Sequence, residues 1–98
     1  MDKRQLVCSL LKSVPEGRVT TYAELARASG THPRAVAVYM KTNEDTVNIP
    51  CFKVVKSNGE LGGYSGAGGV RMKISLLKKS GIKAENGKIN LEKYFHKF

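Results

Sequence analysis

Thr21-Tyr22-Ala23-Glu24-Leu25-Ala26-Arg27-Ala28-Ser29-Gly30-Thr31-His32-Pro33-Arg34-Ala35-Val36-Ala37-Val38-Tyr39-Met40-Lys41 reads as two short helices joined by a tight turn. Thr21 and Glu24 have capping-box spacing: the threonine hydroxyl accepts from the third helical amide while Glu24 reaches back to the threonine N–H. Gly30 is a natural left-handed stop. Thr31-His32-Pro33 restarts the chain as a helix, with proline tolerated in its first turn. The second helix then runs from about Pro33 to Lys41 and buries Val36 and Met40. Such a pair is a helix-turn-helix, with an ordinary helical hairpin as the alternative. The second helix offers Arg34 followed by small side chains, not the run of Asn, Gln and Arg that reads successive base edges. It suits close approach to a narrow groove with Arg34 protruding.

Upstream, Leu6, Val7, Leu10, Leu11 and Val14 recur at helical spacing and predict an amphipathic helix over residues 3–13, with Cys8 beside the apolar stripe. Pro15-Glu16-Gly17 ends it, and Arg18-Val19-Thr20 is an extended link. Downstream, the polar stretch Thr42–Asn48 delivers the chain to Ile49-Pro50-Cys51-Phe52-Lys53-Val54-Val55. Proline biases Ile49 toward extended backbone, which puts the Cys51 thiol at the entrance to a strand. It is either a reactive group or a small buried hydrophobe. Lys53–Lys56, the turn Ser57-Asn58-Gly59, and Glu60-Leu61 predict a β-hairpin. The expected fold is therefore mainly α with a small β-hairpin wing: a winged helix-turn-helix DNA-binding domain.

Gly62–Gly69 holds five glycines in eight residues without the ending of a phosphate-binding loop. It is either a flexible linker or a loop whose glycines bring backbone close to a ligand, with Tyr64 supplying a flat face. A last helix is expected from about Val70 to Ser80, with Val70, Ile74 and Leu77 as its core stripe and Gly81 as its stop. In the basic tail 83–98, Asn86-Gly87 marks a turn, and Ile89, Leu91, Tyr94 and Phe95 dock as a strand or a short helix.

The chain has 98 residues, 17 Lys+Arg against 8 Asp+Glu, and a net charge of +9. That length is one domain, and the charge points to a polyanionic partner, nucleic acid first. Cys8 and Cys51 have no metal-ligand spacing and form no disulfide framework, so neither metal nor cofactor is expected. No signal peptide or membrane-spanning run is visible, and an intracellular, cytoplasmic protein is expected.

The series Pro15-x-Gly17, Thr21-Tyr22-x-Glu24-Leu25-Ala26, Arg34-Ala35-Val36, Asn43, Pro50-Cys51-x-x-Val54-Val55, Gly62-Gly63-Tyr64-Ser65-Gly66 and Leu76-Leu77 resembles the active-site domain of O6-alkylguanine-DNA alkyltransferases over about residues 4–82. The resemblance implies a monomeric, single-turnover DNA repair methyltransferase. It would flip an O6-alkylguanine out of double-stranded DNA and move the alkyl group onto Cys51. It further implies that Tyr22 bonds the guanine and crowds the phosphate, and that Arg34 fills the vacated stack. Ala35 would lie on the DNA-facing helix, Asn43 would position backbone, and Tyr64 with Ser65 would cover the pocket near O6. Two positions depart from the family pattern. Phe52 stands where the family has a histidine after the cysteine, and Ser80 where it has a glutamate before the helix-ending glycine. Those two residues form the relay that deprotonates the thiol, and a thiol at its reference pKa of roughly 8.5 is only a few per cent thiolate at neutral pH. Nearby amides or the cations Lys53, Arg71 or Lys73 would have to substitute. The alternatives are an alkyltransferase-like protein that binds lesions and recruits repair partners without transfer, or a winged-helix regulator with an inert cysteine.

Overall fold

The computed structural model describes residues 2–98. Helix α1 (Lys3–Lys12) starts at a complete capping box, in which Asp2 accepts from the Gln5 N–H and Gln5 accepts from the Asp2 N–H. Its inward face carries Val7 and Leu11. Helix α2 (Tyr22–Ser29) starts at Thr21, whose hydroxyl accepts from the Glu24 N–H at 3.0 Å, and stops at Gly30 with φ 71°. Helix α3 (Pro33–Lys41) buries Val36 and Met40, as the spacing predicts. Its N-cap is His32, whose Nδ1 accepts from the Arg34 N–H. The helix-turn-helix is thus present with the expected bounds.

Glu24 does not reach back to Thr21, as a capping box requires. Its carboxylate binds Arg27 at 2.7 and 2.8 Å and the Phe98 N–H at 2.7 Å. A two-point guanidinium contact together with one backbone amide satisfies the carboxylate better than the single amide of a capping box. The Arg27 guanidinium, with help from that amide, holds the Glu24 carboxyl below its ordinary range against the opposing effect of burial.

The wing differs from expectation in its pairing. Cys51–Lys53 forms one 3-10 turn, so the thiol sits in a turn and not at the entrance to a strand. Strand β2 (Val54–Val55) follows and pairs in parallel with β1 (Thr20–Thr21), Thr20 opposite Val54 and Thr21 opposite Val55. The Asn58-Gly59 reversal is present, with the Lys56 N–H donating to the Glu60 carbonyl at 2.8 Å. Beyond it, however, Glu60 bridges to Lys88 of the tail. Gly59 is required there, because a Cβ would stand 2.5 Å from the Ile89 carbonyl.

Because adjacent strand residues point to opposite faces, Val54 and Val55 join different cores. Val54 packs with Val7, Leu11, Leu25, Val36 and Cys51 under the helix-turn-helix. Val55 packs with Val19, Leu61, Leu77 and Ile82, against which Phe52 also lies. Helix α4 (Gly69–Lys79) enters this second core through Leu77. The expected stripe is corrected here, for Val70 and Ile74 are 43% and 39% exposed while Lys73 is fully buried. The tail is both strand-like and helical. Ile89 is buried, α5 (Leu91–Tyr94) makes one turn, and Val19 then bridges Phe95 in parallel. Among the described residues no helix is long and apolar enough to cross a membrane.

Candidate functional site

A cavity of about 610 Å³ opens between α3, the end of β2 and the glycine-rich loop. Cys51, only 5% exposed, lies at its floor, and Tyr22, Arg34, Tyr64 and Ser65 stand around it. Both cysteines are free thiols. Burial, the leading effect, raises the pKa of Cys8 and so keeps it a thiol.

Each wall follows from local chemistry. Asn43 is buried beside the cavity and does not line it. Its side-chain amide donates to the Ile49 carbonyl at 3.0 Å and its Oδ1 accepts from the Asp45 N–H. Asn43 thereby closes the loop that delivers Pro50 and Cys51. The Asn43 carbonyl accepts from the Ser65 hydroxyl at 3.3 Å, and that hydroxyl lies 4.0 Å from the Cys51 sulfur. Tyr22 opens α2, and burial, with a smaller effect of Cys51, raises its phenol pKa, which keeps the O–H available as a donor. Ala35, on α3, is half-buried and lies outside the lining.

The glycines of the loop serve the tyrosines. A Cβ on Gly62 would stand 3.1 Å from the Tyr22 hydroxyl, and one on Gly66 would stand 2.6–2.7 Å from the Tyr64 ring. Backbone therefore closes on the two aromatic rings, and a side chain at either glycine would push a ring out of place.

Lys73 holds this arrangement from below. Its ammonium group donates to the carbonyls of Val54 at 2.7 Å, Gly63 at 3.1 Å and Leu61. One side chain thus ties the strand after Cys51 to both flanks of the turn that leads to Tyr64. Burial lowers its pKa to about 8, opposed by the negative charge available at Cys51. Of the other cations considered for the thiol, Lys53 is buried and donates to the Val14 carbonyl, and Arg71 is exposed. Lysine reads as a surface residue in a hydrophobic pattern, so periodicity gives no sign of Lys73's role; the deeper position is visible only once α4 is packed. Lys41 and Lys56 also line the cavity and were not singled out by any motif.

The family of 6-O-methylguanine DNA methyltransferase DNA-binding domains matches residues 2–82. A bifunctional methyltransferase/endonuclease of Picrophilus torridus is 46% identical over an alignment that covers 96% of this chain and 32% of that protein. A methylated-DNA–protein-cysteine methyltransferase of Pyrobaculum aerophilum is 46% identical over 83% of this chain and 51% of its own length. The chain thus spans about a third to a half of the curated relatives it matches. Among solved structures, S. pombe Atl1 in complex with damaged DNA containing O6-carboxymethylguanine superposes with TM-score 0.87 at 25% identity, covering 98% of this chain and 95% of that one. Mycobacterium tuberculosis OGT in complex with DNA gives TM-score 0.75 at 31% identity, over 83% and 49%. This chain belongs to the 6-O-methylguanine DNA methyltransferase DNA-binding-domain family.

Proposed function

We propose that the protein binds duplex DNA as a monomer, turns an O6-alkylated guanine into the cavity and takes the alkyl group onto Cys51. The observation that carries this reading is the thiol at the floor of a cavity walled by Tyr22, Arg34, Tyr64 and Ser65. A base inside the stack cannot reach such a floor, so extrusion is required. Arg34 enters the vacated stack, while Tyr22 donates to the base edge and crowds the neighbouring phosphate. Tyr64 and Ser65 close over the O6 side, and Asn43 keeps the loop before Cys51 in place. In the transfer the sulfur–carbon bond forms as the carbon–O6 bond breaks, and the proton leaving the thiol is balanced by protonation of the departing guanine.

Incubation with duplex DNA containing O6-methylguanine is expected to add one methyl mass to the protein, mapped to Cys51 and not to Cys8. Intact-mass spectra without an adduct after long incubation would exclude transfer. A second reading, lesion binding without transfer, is favoured by Phe52 and Ser80 at the two relay positions. It requires that Cys51→Ser still bind the O6-methylguanine duplex more tightly than the undamaged one. Equal affinities would remove lesion recognition altogether.

Arg34→Ala is expected to weaken binding to the damaged duplex about tenfold, or about 1.4 kcal/mol, because nothing then offsets the unstacking. Lys97→Ala, on the exposed tail, serves as comparison. Equal losses in a fluorescence-anisotropy titration would make Arg34 a phosphate contact only.

A further inference from the structure

The cavity around Cys51 has cations on its wall and no carboxylate among its lining residues. Arg34 stands in the first turn of α3 and Lys41 ends it; Lys56 also lines the cavity, just past β2 and on the same continuous segment as Cys51. The Lys56 backbone is fixed by its N–H bond to the Glu60 carbonyl at 2.8 Å, while its side chain is exposed. The nearest acid in sequence, Glu60, is turned to the Asn58 amide at 2.7 Å. Among the described residues no carboxylate lies within ion-pair distance of Lys56. The rest of the lining is mostly apolar, with Pro33, Ala37 and Met40 facing the glycine loop. An anion entering this space meets three exposed cations set among apolar lining residues, an attraction that added salt screens. The volume of about 610 Å³ also leaves room for substituents larger than methyl, since drug-sized ligand sites span roughly 300–1,000 Å³.

We propose that Lys56 makes the cavity selective for O6-alkylguanines whose substituent ends in an anion, carboxyalkyl adducts being the chemical class. This rests on the lesion-binding reading above. It concerns which adduct is held, independent of whether Cys51 accepts it.

The test uses four duplexes identical but for one base: guanine, O6-methylguanine, O6-propylguanine and O6-carboxymethylguanine. The propyl and carboxymethyl substituents are similar in size and differ in charge. Binding is measured in the full chain carrying Cys51→Ser, so that no adduct is consumed, with and without Lys56→Met or Lys56→Arg. The carboxymethyl duplex is expected to bind at least about fivefold more tightly than the propyl duplex at low salt, with the advantage shrinking as salt rises. Lys56→Met should erase that advantage and leave propyl binding unchanged, and Lys56→Arg should retain it. Equal or tighter binding of the propyl duplex before substitution overturns the proposal. So does a uniform loss across all four duplexes on Lys56→Met, which would make Lys56 a phosphate contact. If no adduct binds more tightly than guanine, the lesion-binding reading itself fails, an outcome distinct from both.

Discussion

Lys73→Met is expected to lower folding stability by about 3 kcal/mol and the Tm by about 12–24 °C. The substitution keeps the length and apolar stem of the side chain, so little packing is lost. What is lost is the donor that satisfies the carbonyls of Val54, Leu61 and Gly63. Each buried acceptor left without a partner costs about 1–3 kcal/mol, part of which is returned by water entering at the loop and by no longer burying an ammonium charge. A domain of this size has only about 5–15 kcal/mol in total, so the effect is a large share of what holds it folded. The pH dependence gives a second readout. Lys73 has a folded pKa of about 8 against an ordinary 10.5, with burial as the cause. The folded chain therefore sheds that proton first, and unfolding takes up protons between those values. Stability of the native chain should rise as pH climbs from 8 toward 10.5, by at most on the order of 3 kcal/mol, and the methionine variant should lack that rise. Chemical denaturation at pH 7 and at pH 9.5 checks both statements. A variant that melts within a few degrees of the native chain would show that the three carbonyls find other donors.

That lysine also marks the boundary of what the sequence discloses. The two helices of the helix-turn-helix are legible because their signals are local. Thr21 and Gly30 bracket one helix, Pro33 opens the next, and Val36 with Met40 gives the buried face. Cys51 and its neighbours across the cavity, Tyr22, Arg34, Tyr64 and Ser65, are legible as a set only through the motif series, since they come from separate segments. The Asn58-Gly59 reversal is equally local, and it is found where turn chemistry puts it. The partner of Val54–Val55 is not local. A two-residue strand has no alternation from which to read its register, and Thr20–Thr21 takes the place the hairpin arm was expected to fill because the two hydrophobic cores must close on either side of it. Glu24 shows the same limit. Its spacing to Thr21 is that of a capping box, yet Arg27 and the distant Phe98 amide are the stronger partners. The glycines of residues 62–69 read as a flexible linker or as backbone brought close to a ligand; in the structure it is Tyr22 and Tyr64 that lie against Gly62 and Gly66.

Phe52→His combined with Ser80→Glu is expected to speed alkyl transfer at pH 7 by about 10²-fold or more, the usual contribution of a positioned general base. The fold supports this pairing. Cys51 and Phe52 are successive residues of one 3-10 turn, so their side chains diverge by about a third of a revolution. Cys51 faces the first core and the cavity, and Phe52 faces the second core, where Leu77 of α4 also packs. Ser80 caps that same helix three residues on, its N–H donating to the carbonyls of Leu76 and Leu77. A histidine at position 52 would thus lie on the side of the turn toward the end of α4, where a carboxylate at position 80 could orient it. Either change alone should achieve less, because a base without its carboxylate is poorly held and a carboxylate without the base has no proton to receive. The carboxylate also stands at a helix C-terminus, which disfavours an anion by about 0.3–1 kcal/mol, and the histidine gives up apolar packing. Thermal melting must therefore show the double variant folded before rates are compared. Single-turnover rates from pH 6 to 9 then separate the cases. The native chain, lacking the relay, should react faster as the thiolate fraction grows with pH, while the double variant should run nearly flat through neutrality. A native rate already fast and flat at pH 7 would mean that another group activates Cys51. Lys73 is the group to test next, because it is a fully buried cation whose ammonium group holds the strand that follows Cys51.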